Sequence, residues 1–204
     1  MLSRNLVASL TAGVIVLTLG AAACNDSNDA TGGGTSHMRV LLTDAPSDLI
    51  ASAKVTISRV YLVGNDGGPV DVMPASEPPL TFDLLDLRNG VEALLADHAV
   101  PAGAYEQLRL VVEDAEVTLV DGLTFSDGSS TQTLFVPSGM QSGIKVLLDE
   151  PLDADAGQIT IVVVDFDVDQ NFVLQGNATP PTEISSILFT PVLQEKRREE
   201  QPEP

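Results

Sequence analysis

The sequence has no tryptophan, two tyrosines, two histidines and one cysteine in 204 residues. Each scarcity excludes something. A single cysteine cannot form an intrachain disulfide, so stability must come from the core. Two distant histidines, His37 and His98, with no second thiol do not make a zinc site. No Gly-x-Ser-x-Gly segment occurs, and no nucleophile stands near a histidine in a recognisable pattern. Paired carboxylates can hydrolyse glycosides, but 29 acidic residues make close pairs by chance, and sugar sites need the flat apolar surface that tryptophan would supply. No catalytic activity is expected, and no cofactor is established. Basic residues are scarce too: 10 against 29 acidic, a net charge of −19. Such a surface repels nucleic acid and anionic headgroups, because both carry phosphate. It attracts divalent cations and basic partners. Its plainest consequence is solubility.

The N-terminal segment is patterned for export. Arg4 is the only charged side chain before Cys24, and Leu6 to Leu19 is uncharged and apolar. Gly20-Ala21-Ala22-Ala23 supplies the small residues of a processing site. Residues 1–23 therefore read as a signal peptide. Cys24 at this position resembles a bacterial lipobox, with Ala21 where Leu is usual, which implies a lipidated Cys24 as the mature N-terminus. Ordinary cleavage after Ala23 and an uncleaved membrane helix are the alternatives. Without residues 1–23 the chain has 9 basic and 29 acidic residues, a net charge of −20. Residues 24–36 read as a lipid-anchored flexible tether; the twelve from Asn25 to Ser36 span about 20 Å as a coil.

From His37 the dominant signal is short apolar runs of period two, cut by Gly, Pro, Asn and Asp turns. Strands are expected at Met38–Leu42, Val55–Val63, Val70–Met73, Leu80–Leu87, Tyr105–Glu113, Ala115–Val120, Thr133–Val136, Ile144–Leu148, Ile159–Val168 and Ile184–Leu193. Residues 64–68 read as a hairpin turn. Gly90 to Asp97 is the one expected helix, since Val91, Leu94 and Leu95 share a helical face. Apolar phase slips between Ile57 and Val60, and between Val112 and Ala115, so Ser58-Arg59 and Glu113-Asp114 should be bulges or breaks. Ile159–Val168 is apolar on both faces and should be central. The expected fold is all-β: an antiparallel β-sandwich over residues 37–194, prealbumin-like or immunoglobulin-like, with at most one short helix. Residues 195–204 read as a charged disordered tail.

Asp165, Asp167 and Asp169 form the most specific acidic cluster. Their alternating carboxylates resemble the start of a calcium loop, but the turn Gly and the bidentate Glu are missing. Strand residues two apart lie about 6.7 Å apart, so a second loop, with Asp44 or Asp48, would have to help hold calcium. The competing reading is a strand end charged for solubility. Tyr105 is expected to place its ring in the core and its hydroxyl at the rim.

Several motifs occur in order: Leu41-Leu42-Thr43-Asp44-Ala45-Pro46, Phe82-Asp83-Leu84-Leu85-Asp86-Leu87, Pro101-Ala102-Gly103-Ala104-Tyr105 with Leu108-Arg109-Leu110, Pro137-Ser138-Gly139 with Gly143-Ile144-Lys145, and Asp165-Phe166-Asp167. In this order they resemble domain of unknown function 4382, a family of bacterial and archaeal secreted or lipid-anchored domains. The resemblance implies a β-sandwich and an envelope location, periplasmic or outer-membrane facing, but no activity or cofactor. The expected function is that of a non-enzymatic cell-envelope lipoprotein serving as an interaction or structural module. Its partners would be the membrane, through the lipid anchor, and an envelope protein or glycan; nucleic acid is not expected. The alternative is a surface glycan- or ligand-binding module, calcium-assisted or not, for which an exposed Tyr61 or Tyr105 in a groove would speak.

Overall fold

The structure, a computed structural model, describes residues 33–44, 47–64, 68–136, 142–177 and 183–204. Residues 1–23, Cys24, most of the segment expected to be a tether, and Pro137-Ser138-Gly139 lie outside the described residues. No helix among the described residues is long and apolar enough to cross a membrane.

Among the described residues strand predominates. In order come β1 (Thr35–Thr43), β2 (Ile50–Gly64), β3 (Val70–Met73) and β4 (Leu80–Asp83), then a 3-10 turn (Leu84–Leu87). Next are β5 (Ala93–Pro101), β6 (Gly103–Leu119), β7 (Thr131–Leu134), β8 (Ile144–Leu147), β9 (Leu152–Ala154) and β10 (Gln158–Asp165). One turn of helix, α1 (Val168–Asn171), leads to β11 (Phe172–Asn177), β12 (Glu183–Phe189) and β13 (Leu193–Pro202).

The all-β class is as expected, but a wholly antiparallel sandwich is not what forms. Eight strands join along one path, β3-β2-β6-β8-β13-β10-β1-β5, with β4 paired to β2 and with β7 and β9 paired to β6; the end strands β3 and β5 lie against each other, so the sheet nearly closes into a barrel. It is mixed: β1 runs parallel to β10, and β13 parallel to β8. β11 and β12 form a separate two-stranded ribbon. Alternation places Met38, Val40 and Leu42 of β1 inside with Val55, Ile57, Val60 and Leu62 of β2 and Leu108, Leu110, Val112, Ala115 and Val117 of β6. Each such aliphatic side chain contributes about 1.5–3 kcal/mol on burial.

Both expected phase slips are present. β2 pairs antiparallel with β6, and the register breaks so that Ser58 and Glu113 are each skipped. The two extra residues compensate, which keeps the apolar residues of both strands facing inward. β2 and β3 pair as the expected hairpin, though its turn residues 65–67 are not described. β10 is central, between β13 and β1.

Five expectations are corrected. Leu80–Leu87 is a strand only as far as Asp83, and Leu84–Leu87 is the 3-10 turn. Gly90–Asp97 is not a helix: Ala93–Pro101 pairs antiparallel with β1, with Leu95 as an extra residue opposite Val40 and Leu41. Ile159–Val168 stops as a strand at Asp165, where Asp167 caps α1. Ile184–Leu193 is two strands separated by Thr190-Pro191-Val192, because proline cannot donate to a ladder. Residues 195–202 are not a frayed tail but most of β13, paired along β10. The tether is also shorter than expected, since Thr35 and Ser36 belong to β1.

Candidate functional site

Parallel pairing of β1 and β10 brings the motifs at their C-terminal ends together. Phe166 N donates to Thr43 O at 3.0 Å. The Thr43 hydroxyl shares its one hydrogen between Val91 O at 3.0 Å and Leu87 O at 3.3 Å, tying β1 to the segment before β5. Asp44 is buried, and its Oδ1 accepts from Val168 N at 2.9 Å. Asp167 caps α1, accepting from Gln170 N at 3.1 Å and from the Gln170 amide at 2.6 Å. Asn171 is fully buried; its side-chain amide donates to Asp167 O and Val192 O, and its carbonyl accepts from Val192 N. Phe166 and Phe172 both pack on Phe189, with ring centroids 6.2 Å and 5.0 Å apart, seating the β11–β12 ribbon over this end.

The three aspartates of the acidic cluster part ways here. Asp165 faces Lys196, 3.4 Å from its ammonium, and its Oδ1 is buried without a hydrogen-bond partner. Asp167 is engaged on α1, and Asp169 is exposed. Among the described residues no three His, Cys, Asp or Glu side chains are grouped to hold a metal ion. Asp44 does come to the cluster from a second loop, but its Oδ1 serves the backbone of Val168.

The other motifs also brace the backbone. Asp83 accepts from Ala53 N at 3.1 Å, from Leu85 N at 3.2 Å and from the Ser52 hydroxyl at 2.6 Å. Tyr105 is buried, as expected, and its hydroxyl donates to Pro101 O at 2.7 Å; burial pushes its phenol above the ordinary 10.0. Tyr61 is buried as well, donating to Ser142 O at 2.6 Å, with the Arg59 guanidinium 4.4 Å from its ring centroid.

A second cluster lies on the outer face near the start of β1. Arg39 donates two hydrogen bonds to Asp97 Oδ2, at 2.9 and 2.7 Å. His37 stands between carboxylates, Nδ1 3.5 Å from Asp97 and Nε2 3.4 Å from Glu203. These residues line an open depression of about 460 Å³ with Ile159 and Pro204. Partial burial raises the Asp97 carboxyl, but hydrogen bonds and charges from Arg39 and His37 outweigh it and leave the group below its ordinary 3.8. Sequence reasoning missed this cluster. His37 and Arg39 share a face of β1, but nothing local connects them to residue 97 or 203. His98 lies exposed on β5.

The braced motifs all fall within residues 35–180, and that span matches the family described as a domain of unknown function, DUF4382. The chain belongs to that family. No curated protein and no solved structure matches it. In this DUF4382 chain β12 and β13 lie beyond the matched residues, although β13 sits between two strands of the matched span.

Proposed function

We propose that the chain is a non-enzymatic lipoprotein of the bacterial cell envelope, anchored through Cys24, that works by contact with another envelope component. The observation that carries this reading is how the motif side chains are used. Asp44, Asp83 and Asp167 accept backbone N–H groups, and Tyr105 is buried and bonded to a carbonyl, as is Tyr61 outside the motifs. The family motifs thus build a scaffold, and what is left at the surface is acidic charge and exposed apolar side chains. Val173 and Leu188, opposite each other on the ribbon, are 39% and 52% exposed. The ribbon seats at the end where β1 finishes, whereas the tether joins where β1 begins, nine residues or roughly 30 Å away. An anchored chain would hold its ribbon away from the attachment point. Burial of Tyr61 and Tyr105 removes the two side chains that the glycan-binding alternative called for.

Mass spectrometry of protein purified from its own envelope tests the anchor. Acyl groups on an N-terminal Cys24 are expected, and a soluble mature chain with an unmodified Cys24 overturns the reading. Crosslinking of the native envelope should then recover a partner through the ribbon, and the yield should fall in a Val173→Ser, Leu188→Ser variant.

A further inference from the structure

Asn89-Gly90 is the one Asn-Gly pair in the sequence, and it sits in a tight turn just before β5. Val91 N donates to Arg88 O at 3.3 Å, and the two residues between have φ of +60° and +81°. Two successive left-handed residues make a type I′ turn, for which Asn-Gly is a preferred pair. Among the described residues Asn89 is the one non-glycine with a positive φ. Both residues are exposed, and a Cβ added to Gly90 would meet nothing within 4 Å. Among the described residues the Asn89 amide has no hydrogen-bond partner. Asn171 is the contrast: it is buried, both ends of its amide are bonded, and Phe172 follows it.

Such a pair carries a reaction of its own. The Gly90 backbone nitrogen attacks Cγ of Asn89, and no Cβ on residue 90 hinders the approach. The N–Cγ bond forms, the Cγ–Nδ2 bond breaks, and ammonia leaves with the proton given up by Gly90 N. Water then opens the cyclic imide. Opening at Cγ leaves aspartate. Opening at the main-chain carbonyl leaves isoaspartate, whose backbone runs through Cγ and is longer by a methylene. The sum is water in and ammonia out, and the chain supplies both reacting groups.

We propose that Asn89 is a site of spontaneous deamidation, and that its isoaspartyl product slackens the joint between β1 and β5. The turn lies where that joint is made. The Thr43 hydroxyl is shared between Leu87 O and Val91 O, and Asp44 N donates to Leu87 O at 3.3 Å. These acceptors flank the pair, so a longer backbone between residues 89 and 90 changes their separation. The fold also sets the rate. A left-handed residue has ψ of about +47°, which turns the next nitrogen away from its side chain. The ring therefore closes only when the turn opens. One hydrogen bond between exposed residues holds the turn shut, so opening is local and costs little. The reaction is slowed by the fold, not forbidden.

The full chain is held at warm, mildly alkaline pH beside a urea-unfolded sample, and its peptides are followed by mass spectrometry. The peptide spanning Asn89 and Gly90 should gain the mass of an NH2-to-OH exchange and accept a methyl group from a protein isoaspartyl methyltransferase. Conversion should be several-fold slower folded than unfolded, yet faster than at any other asparagine. Asn89→Gln, whose longer side chain closes such a ring poorly, should remove the signal. A folded chain still unconverted when the unfolded sample has converted fully overturns the site, as does preferred conversion at another asparagine. Equal rates in the two samples overturn the turn's control of the reaction. The isoaspartyl chains, separated by chromatography, should unfold at lower urea than an Asn89→Asp variant, which carries the new charge without the longer backbone. Equal midpoints overturn the slackened joint.

Discussion

Asp44 is 2% exposed, and a buried carboxylate survives only where donors meet it. One of its donors is Val168 N, 124 residues along the chain. Asp44→Ala removes the acceptor and strands that buried N–H, which should lower stability by about 1–3 kcal/mol in urea unfolding. Asp44→Asn keeps a carbonyl oxygen at the same place and should recover most of the loss; an alanine variant as stable as the parent would refute the role. Asp97 makes a prediction about pH. Its carboxyl lies below 3.8 in the folded chain, so the unfolded chain takes up the proton first as pH falls. Its contribution is complete well above 3.8 and drains away as pH falls through the folded value. The stability gap between the parent and Asp97→Asn should therefore be constant near neutrality and narrow below 3.8. A gap unchanged by acid would show that Arg39 and His37 do not hold the carboxylate. Neither partnership was legible in the sequence. A carboxylate declares that it needs donors, but the donors here come from elements far away in the chain.

Elements were legible where the apolar phase was regular, or where its one slip had a simple cause. The shift from Val55 and Ile57 to Val60 and Leu62 required one extra residue in β2, and Ser58 is that residue. β5 defeated the same reasoning. Leu95 is an extra residue within it, so Leu94 and Leu95 break the alternation and mimic the spacing of a helix. What decided the matter was the free edge of β1, which offers eight pairings along the strand and is not local information. β13 failed for the opposite reason, since it carries almost no apolar signal and exists because β10 has an edge to fill. Its one fully buried side chain gives a test. Leu193→Ala should cost about 2–5 kcal/mol in denaturant unfolding, as a truncation in a packed core does. Glu200→Ala, exposed on the same strand, should stay within about 0.5 kcal/mol. Equal and negligible effects would mean that residues 193–202 fray after all.

At the scale of the molecule, charge and topology separate. Ten basic against 29 acidic residues leave a strongly acidic chain, and most of the described cations already stand against carboxylates or carbonyls. Composition alone therefore established an acidic chain, and period-two patterning with turn residues established an all-β domain. Those properties are local sums, and a sequence contains them completely. The parallel docking of β1 on β10, the insertion of β13 between β10 and β8, and the near closure of the sheet belong to the tertiary structure. Every strand offers the same row of N–H and C=O groups along its edge, so hydrogen bonding cannot name a partner. Only the packing of inward side chains from all strands together selects which edges meet, and with that choice which carboxylates are buried, paired or left to solvent.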